Sequence, residues 1–286
     1  MIKCIAIDMD GTLLGINHAV SEENRNAIQA AQAQGIEVVV ATGRSYQEAI
    51  YVLEDAKIKC PIICANGAEI RSVDGTVQLT NNLPIETTKK VIEVFEEHQA
   101  YFELYTNKGT YSNDYDKALT VIMDIFMSGS SKQDYEVSLK AAKERFESGL
   151  VHLVDSFDTL LNDAIVTINK FIMFSFDNQL LLNVKEALTQ IEGIAVSSSG
   201  KENIEVNSLD AQKGIALTNF VAKRNISMED TMAIGDNYND LSMFKRVGHS
   251  VAMGNAPEDI KQQCQKVTDT NVLHGVSKAI LAALEK

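Results

Sequence analysis

Short apolar runs alternate with amphipathic segments in the first part of the chain. Three of these runs, at residues 2–7, 37–41 and 61–65, have the length and composition of buried strands. Between the first two, Ser21 is placed to cap the start of a helix and Gly35 to end it. Continuous apolar strands separated by helices predict a parallel sheet with helices on both faces.

The pattern changes after Asn81. Apolar residues between positions 85 and 95 recur at helical spacing, whereas residues 101–106 and 170–176 are aromatic-rich runs typical of strands. We interpret this stretch as a separate α+β module.

The first pattern returns towards the end of the chain. Residues 231–236 form another apolar run that ends in an acid, and a helix is predicted to begin near Pro257. The predicted fold class is therefore α/β, with a doubly wound, Rossmann-like parallel-sheet core and an inserted α+β domain. The predicted limits are 1–82 and 208–286 for the core and 83–207 for the insertion.

Composition and charge indicate which classes of partner this chain is expected to bind. Of 286 residues, 45% are hydrophobic and 23% charged, and 39 acidic against 26 basic side chains give a formal net charge of −13. A negative net charge is the wrong sign for nonspecific binding to nucleic acid.

No apolar run approaches the ~20 residues of a membrane span. The chain opens without a basic leader, and its four cysteines form no CxxC pair. We therefore expect a cytoplasmic protein without nucleic-acid or membrane partners.

Two acids, Asp8 and Asp10, follow the first apolar run. Side chains two residues apart in a strand point to the same side, so both carboxylates are expected to lean into one small space. Mutual repulsion and desolvation make such a pair unfavourable unless a cation relieves it. The pair therefore predicts a metal ion, a basic partner, or both.

The ends of the other predicted strands carry further polar residues. Because ligands bind at the carboxyl ends of strands in an open parallel sheet, we expect these residues to meet at one edge. They are Asp8, Asp10, Thr42, Gly43, Arg44, Asn66, Gly67, Asp236, Asn239 and Asp240. Four acids, a hydroxyl group, exposed amides and an arginine suit a hard cation together with an oxyanion. Magnesium prefers oxygen ligands and often shares substrate phosphate oxygens, so Mg²⁺ is the expected cofactor.

Four ordered motifs resemble those of the haloacid dehalogenase-like hydrolase superfamily. They are "DMDGT" at 8–12, "ATGR" at 41–44, "QKGIAL" around Lys213 and "GDNYND" at 235–240. The segment "ANGA" at 65–68 and the inserted domain resemble the Cof-type branch, in which the insertion is a large α/β cap. The resemblance covers essentially the whole chain. Gln212 is a departure, since the family often has a small residue before the motif lysine.

The resemblance implies a role for each site residue. Asp8 is the expected nucleophile and Asp10 the expected general acid and base. The implied magnesium ligands are Asp8, the backbone carbonyl of Asp10, and Asp236. Met9, Thr42, Gly43, Lys213 and Asn239 are expected to bind phosphate, with Arg44, Asn66 and Asp240 in supporting positions.

The expected function is magnesium-dependent hydrolysis of small phosphorylated metabolites through an aspartyl-phosphate. Sugar phosphates and phosphorylated cofactors, such as flavin mononucleotide or pyridoxal phosphate, are candidate substrates. The open alternatives are a phosphomutase or phosphotransferase and a catalytically silent sensor of phosphometabolites. The cap is expected to select the substrate, and Tyr105, Tyr111 and Phe174 are the aromatic candidates for contacting it.

Overall fold

The chain forms two compact units in a computed structural model. The core unit comprises Met1–Asn81 and Asp210–Lys286, and the inserted unit comprises Asn82–Leu209. The structure describes residues 1–120, 139–140, 143–144, 146–147 and 149–285.

Fourteen strands lie in the described part of the chain. They are β1 (Cys4–Ile7), β2 (Glu37–Ala41), β3 (Ile62–Cys64), β4 (Glu69–Arg71), β5 (Val77–Thr80), β6 (Tyr101–Thr106), β7 (Gly109–Ser112), β8 (Val151–Leu153), β9 (Ile168–Phe174), β10 (Ile194–Ser197), β11 (Asn203–Ser208), β12 (Thr231–Gly235), β13 (His249–Ala252) and β14 (Lys266–Val267). The core sheet has the order β14-β13-β12-β1-β2-β3-β4-β5, and the inserted sheet has the order β10-β11-β9-β6-β7-β8.

Nine α-helices lie wholly within the described residues. They are α1 (Glu22–Ala33), α2 (Tyr46–Asp55), α3 (Ile85–Glu97), α4 (Asp158–Leu161), α5 (Asn178–Leu188), α6 (Lys213–Ala222), α7 (Leu241–Phe244), α8 (Glu258–Lys261) and α9 (Gly275–Leu284). The predicted cap of the first helix is present, since Ser21 accepts a hydrogen bond from the backbone N–H of Asn24. No helix among these residues is both long and apolar enough to cross a lipid bilayer.

The core sheet is covered by helices on both faces. Its strands are parallel from β14 to β3, whereas β3, β4 and β5 pair antiparallel. Ile5 and Ile7 point into one apolar cluster, which includes Ile28 of α1 and Ile280 of α9. The alternate residues of the same strand pack with Phe220 of α6 in a second cluster. This alternation within nearly continuous apolar strands explains why both sheet faces are buried, and the predicted fold class is confirmed.

The inserted unit has one apolar and one polar sheet face. Phe102 of β6 and Phe171 of β9 point to the apolar face, where Phe95 of α3 and Val184 of α5 cover them. The sheet is antiparallel except for the parallel pair β7 and β8. Helices packed on a largely antiparallel sheet give the unit its α+β character.

Candidate active site

Five segments of the core unit meet at the carboxyl ends of its strands. They are the helical turn Met9–Leu13 after β1, residues 42–44 after β2, the turn Ala65–Gly67 after β3, the turn Tyr238–Asp240 after β12, and the first residues of α6. The parallel register of β12, β1 and β2 aligns the ends of these strands. The sheet edge therefore gathers polar residues that lie far apart in the sequence.

Lys213 lies between two carboxylates at the start of α6. Its Nζ donates to Oδ1 of Asp8 at 2.6 Å and to Oδ1 of Asp240 at 2.7 Å, and the lysine is fully buried. Burial disfavours the ammonium, but the charges of Asp240 and Asp8 outweigh it and raise the pKa of Lys213. Asp8 is only 5% exposed, and burial raises the pKa of its carboxyl well above the usual range despite the neighbouring lysine.

Asp236 supplies a second buried carboxylate beside Asp8. Its Oδ1 accepts a hydrogen bond of 2.9 Å from the hydroxyl of Thr12. Burial, together with the charge of Asp240, raises the pKa of Asp236 to about 7. Oδ2 of Asp240 in turn accepts hydrogen bonds from the backbone N–H groups of Asp236 and Asn237, at 2.9 and 3.1 Å. Asp240 thus organises the loop that carries Asp236.

The donor set at this edge fits a hard divalent cation. Asp8, Asp236 and Asp240 each offer one carboxylate oxygen, and these oxygens lie within 4.8 Å of one another. Oxygen donors of this kind match Mg²⁺ or Ca²⁺ rather than a soft metal. Because three buried carboxylates face one ammonium, an added cation would relieve their repulsion. Asp240 already bonds Lys213 and two backbone amides, which leaves Asp8 and Asp236 as the better-placed ligands.

Asp10 has a different partner from Asp8. Its carboxylate forms a two-point ion pair with Arg44, with Nη2 to Oδ1 at 2.6 Å and Nε to Oδ2 at 2.8 Å. The Asp10 side chain is 48% exposed, in contrast to buried Asp8. The expected sharing of one space is therefore replaced by two separate pairs, Asp8 with Lys213 and Asp10 with Arg44. The strand ends at Ile7, so the two-residue alternation does not extend to Asp10.

The residues expected to bind phosphate line the neighbouring strand ends. Thr42 is fully buried, and its Oγ1 accepts the backbone N–H of Arg44 at 3.1 Å. The backbone N–H of Asn66 donates to the carbonyl of Thr42 at 2.9 Å, and Nδ2 of Asn239 donates to Oδ1 of Asn66 at 3.3 Å. Gly43, between Thr42 and Arg44, belongs to the same loop. These bonds join three of the converging segments.

Met9 and Gly67 contribute through the backbone. The Met9 side chain is fully buried in the apolar cluster beneath the sheet edge, so the phosphate contact expected of this residue can come only from its backbone. Gly67 has a φ of +104°, and a Cβ there would lie 2.7 Å from the carbonyl oxygen of Gln212. A side chain at position 67 would therefore push away the segment that leads into Lys213.

Two side chains at the site were assigned no role from the sequence. Thr12 bonds Asp236, and Asn255 donates from Nδ2 to the carbonyl of Gly11 at 2.8 Å. Thr12 stands inside the "DMDGT" motif. Asn255 follows β13, and the rule that ligands gather at strand ends applies to it as it does to Asp236.

The aromatic candidates of the inserted unit occupy different faces of its sheet. The Nζ of buried Lys170 lies 4.9 Å from the ring centre of Tyr105 and 2.7 Å from Oε1 of Glu205. Phe174 stacks on Tyr101 at 6.5 Å. Tyr111 packs instead against the apolar cluster that α3 and α5 cover. Tyr105 and Phe174 therefore accompany the polar face, whereas Tyr111 is part of the packing.

The chain matches known proteins over almost its full length. The profile of the haloacid dehalogenase-like hydrolases matches residues 5–280. Phosphatase YwpJ of Bacillus subtilis (strain 168) is 36% identical over 278 residues, which cover 96% of this chain and 98% of the relative. The same organism has a 5-amino-6-(5-phospho-D-ribitylamino)uracil phosphatase, YwtE, that is 35% identical over 277 residues and 96% of each chain. A solved haloacid dehalogenase-like hydrolase from B. subtilis has a TM-score of 0.88 at 35% identity and covers 98% of this chain and 99% of its own.

Proposed function

Because the chain belongs to the haloacid dehalogenase-like hydrolases and is an enzyme of their phosphatase class, we propose that it hydrolyses small phosphorylated metabolites with the help of Mg²⁺. The observation that supports this most is the buried contact of Asp8 with Lys213 beside Asp236. A carboxylate held against an ammonium and a second acid suits attack on a charged phosphoryl group.

Asp8 and Asp10 divide the proposed reaction between them. An oxygen of Asp8 bonds to phosphorus as the bond to the leaving oxygen breaks, and Asp10 gives its proton to that oxygen. Asp10 then accepts a proton from water, whose oxygen attacks phosphorus and releases phosphate from Asp8. Because Arg44 holds both oxygens of Asp10, that pair must open before Asp10 can donate.

The remaining residues stabilise charge on the phosphoryl group. Mg²⁺, when bound, would neutralise the repulsion between the Asp8 carboxylate and the phosphate. Its proposed ligands are Asp8, Asp236 and the backbone carbonyl of Asp10. Lys213 supplies a fixed positive charge beside the attacked phosphorus. The proposed contacts to the non-bridging oxygens come from Met9, Thr42, Gly43, Lys213 and Asn239, with Asn66 and Asp240 holding Asn239 and Lys213 in place.

The proposed substrates are sugar phosphates and phosphorylated cofactors such as flavin mononucleotide or pyridoxal phosphate. The name of the relative YwtE adds 5-amino-6-(5-phospho-D-ribitylamino)uracil to the compounds worth testing. We further propose that the inserted unit selects among these compounds, with Tyr105 and Phe174 on its polar sheet face as the candidate residues.

Phosphate release from a panel of these compounds, with Mg²⁺ or with a chelator, tests the proposal. Asp8→Asn removes the nucleophile with little change in shape, and Asp55→Asn, an exposed position on α2, is the matched control. We expect release that needs Mg²⁺, persists in Asp55→Asn and disappears in Asp8→Asn. Release by Asp8→Asn at the native rate would contradict the proposed nucleophile, and an isomeric phosphate product would indicate a mutase instead.

A further inference from the structure

The side chain of Asn255 contacts both the Gly11 carbonyl and the carboxylate of Asp236. Its Nδ2 donates to the carbonyl of Gly11 at 2.8 Å and lies 3.5 Å from Oδ2 of Asp236. Asn255 is 244 residues from Gly11 in the sequence, so the fold itself creates this contact. The side chain is exposed, in contrast to the buried acid that it approaches.

The Asp236 carboxylate is held at both oxygens. Thr12 donates to Oδ1 from inside the turn, and Asn255 approaches Oδ2 from the other side. Gly11 has a φ of +77°, and a Cβ there would overlap Asp236, so the turn lies directly against this carboxylate. Because the Asn255 amide contacts both the Gly11 carbonyl and Asp236, it influences the distance between the turn and the Asp236 carboxylate.

The orientation of the Asn255 amide is determined by a third contact. Its Oδ1 accepts the backbone N–H of Asn271 at 3.0 Å, so the oxygen must face Asn271 and the NH₂ group must face Gly11. Asn271 is itself held, since its Nδ2 donates to the carbonyl of Leu14 at 2.8 Å. Asn255 is thus pinned between the turn after β1 and the segment before α9.

We propose that Asn255 is a positioning residue for the divalent cation. It fixes the Gly11 carbonyl, one peptide after the Asp10 carbonyl, relative to Asp236. The Asp10 carbonyl and Asp236 are two of the three proposed ligands. This inference rests on the proposed function, because it takes the cation site to be built from Asp8, Asp236 and the Asp10 carbonyl. An amide is required here, since a carboxylate would set a third acceptor against the Gly11 carbonyl and Asp236.

Calorimetric titration of the full-length, metal-free protein with Mg²⁺ tests the inference without reference to turnover. Partners that orient metal ligands typically change metal affinity ~10- to 100-fold when mutated. We expect Asn255→Asp to weaken Mg²⁺ binding by about this factor and Asn255→Ala to weaken it less. Asn183→Asp, an exposed change of the same charge on α5, should bind Mg²⁺ as the native protein does.

A second readout separates positioning from a general structural role. If Asn255 positions the cation site, metal-free Asn255→Ala keeps a native melting temperature, and raising the Mg²⁺ concentration restores kcat. A lower melting temperature with a kcat that excess Mg²⁺ does not restore would overturn the inference. Native Mg²⁺ affinity in both Asn255 variants, with binding lost in Asp236→Asn, would also overturn it. No Mg²⁺ binding by the native protein would instead refute the metal site of the proposed function, and the inference with it.

Discussion

Arg44 donates hydrogen bonds to both carboxylate oxygens of Asp10, from Nη2 to Oδ1 at 2.6 Å and from Nε to Oδ2 at 2.8 Å. The two residues come from the ends of neighbouring strands, β1 and β2. Two parallel N–H donors give this pair a defined geometry that a lysine would not reproduce. Arg44 therefore sets the resting position of the proposed general acid.

Replacing Arg44 should impair proton donation more than phosphorus attack. Arg44→Met leaves Asp10 without its partner, so we expect a ~10- to 100-fold loss of kcat/KM towards an alkyl phosphate, as for misplaced catalytic groups. This ratio reports the steps up to departure of the leaving group and omits the later attack of water, in which Asp10 acts as a base for either substrate. The loss towards p-nitrophenyl phosphate should be much smaller, because nitrophenolate leaves without a proton. Values of kcat/KM for both compounds measure this, with Arg25→Met as the control, since half-buried Arg25 on α1 pairs with Glu22 rather than with Asp10. Equal losses of kcat/KM on both compounds would argue against a positioning role for Arg44.

Removing the Lys213 charge should destabilise the metal-free protein. Lys213→Met preserves side-chain length but leaves Asp8 and Asp240 buried without a counter-charge. Breaking a buried ion pair at one partner typically costs ~3–5 kcal/mol. We expect the urea midpoint to fall accordingly and phosphate release to be lost.

Lys223→Met is the matched control for that change. Lys223 follows the same helix, is exposed, and donates from Nζ to the carbonyl of Gln78. Its midpoint should stay close to that of the native protein. A midpoint for Lys213→Met as high as that of this control would contradict the destabilising role assigned to the uncompensated acids.

The sequence predicts the fold class and the gathering of strand-end residues, because both follow from local patterns. Apolar strands and N-caps such as Ser21 are visible in the sequence, and the carboxyl ends of parallel strands meet at one edge in any such fold. The partner of Asp10 is not visible, because the chain leaves the strand at Ile7 and Gly11 turns with a positive φ. The Asn255 contact depends on how three loops pack, and such long-range pairing has no signature in sequence spacing.

Mg²⁺ should stabilise the protein more at pH 8 than at pH 5.5. Burial and Asp240 raise the pKa of Asp236 to about 7, above its ordinary value of 3.8. Between these values the folded state binds more protons than the unfolded state, so stability falls as the pH rises towards 7. Above that pH the ionised Asp236 carboxylate destabilises the folded protein when no cation is bound. The same ionised carboxylate can bind Mg²⁺ without first losing a proton. At 100 times the dissociation constant, bound ligand adds ~2.7 kcal/mol.

Melting temperatures with Mg²⁺ and with a chelator at the two pH values measure this difference. Asp236→Asn has no proton to lose at this position, so its gain from Mg²⁺ should be small at both pH values. A larger gain at pH 5.5 than at pH 8 in the native protein would contradict the raised pKa of Asp236.

Gly214 follows Lys213 in α6 and allows this helix to approach α7. A Cβ at position 214 would overlap the backbone carbonyl of Ser242, whose hydroxyl also accepts the N–H of Gly214 at 3.0 Å. In an open helix, Gly→Ala would stabilise by up to ~1 kcal/mol, but overpacking against backbone costs typically ~1–3 kcal/mol. We expect Gly214→Ala to lower the urea midpoint and, by moving Lys213, to reduce phosphate release. Gly15→Ala is the control, because the nearest atom to its Cβ would be 3.5 Å away. A midpoint at or above that of the control would mean that α6 and α7 separate easily at this contact.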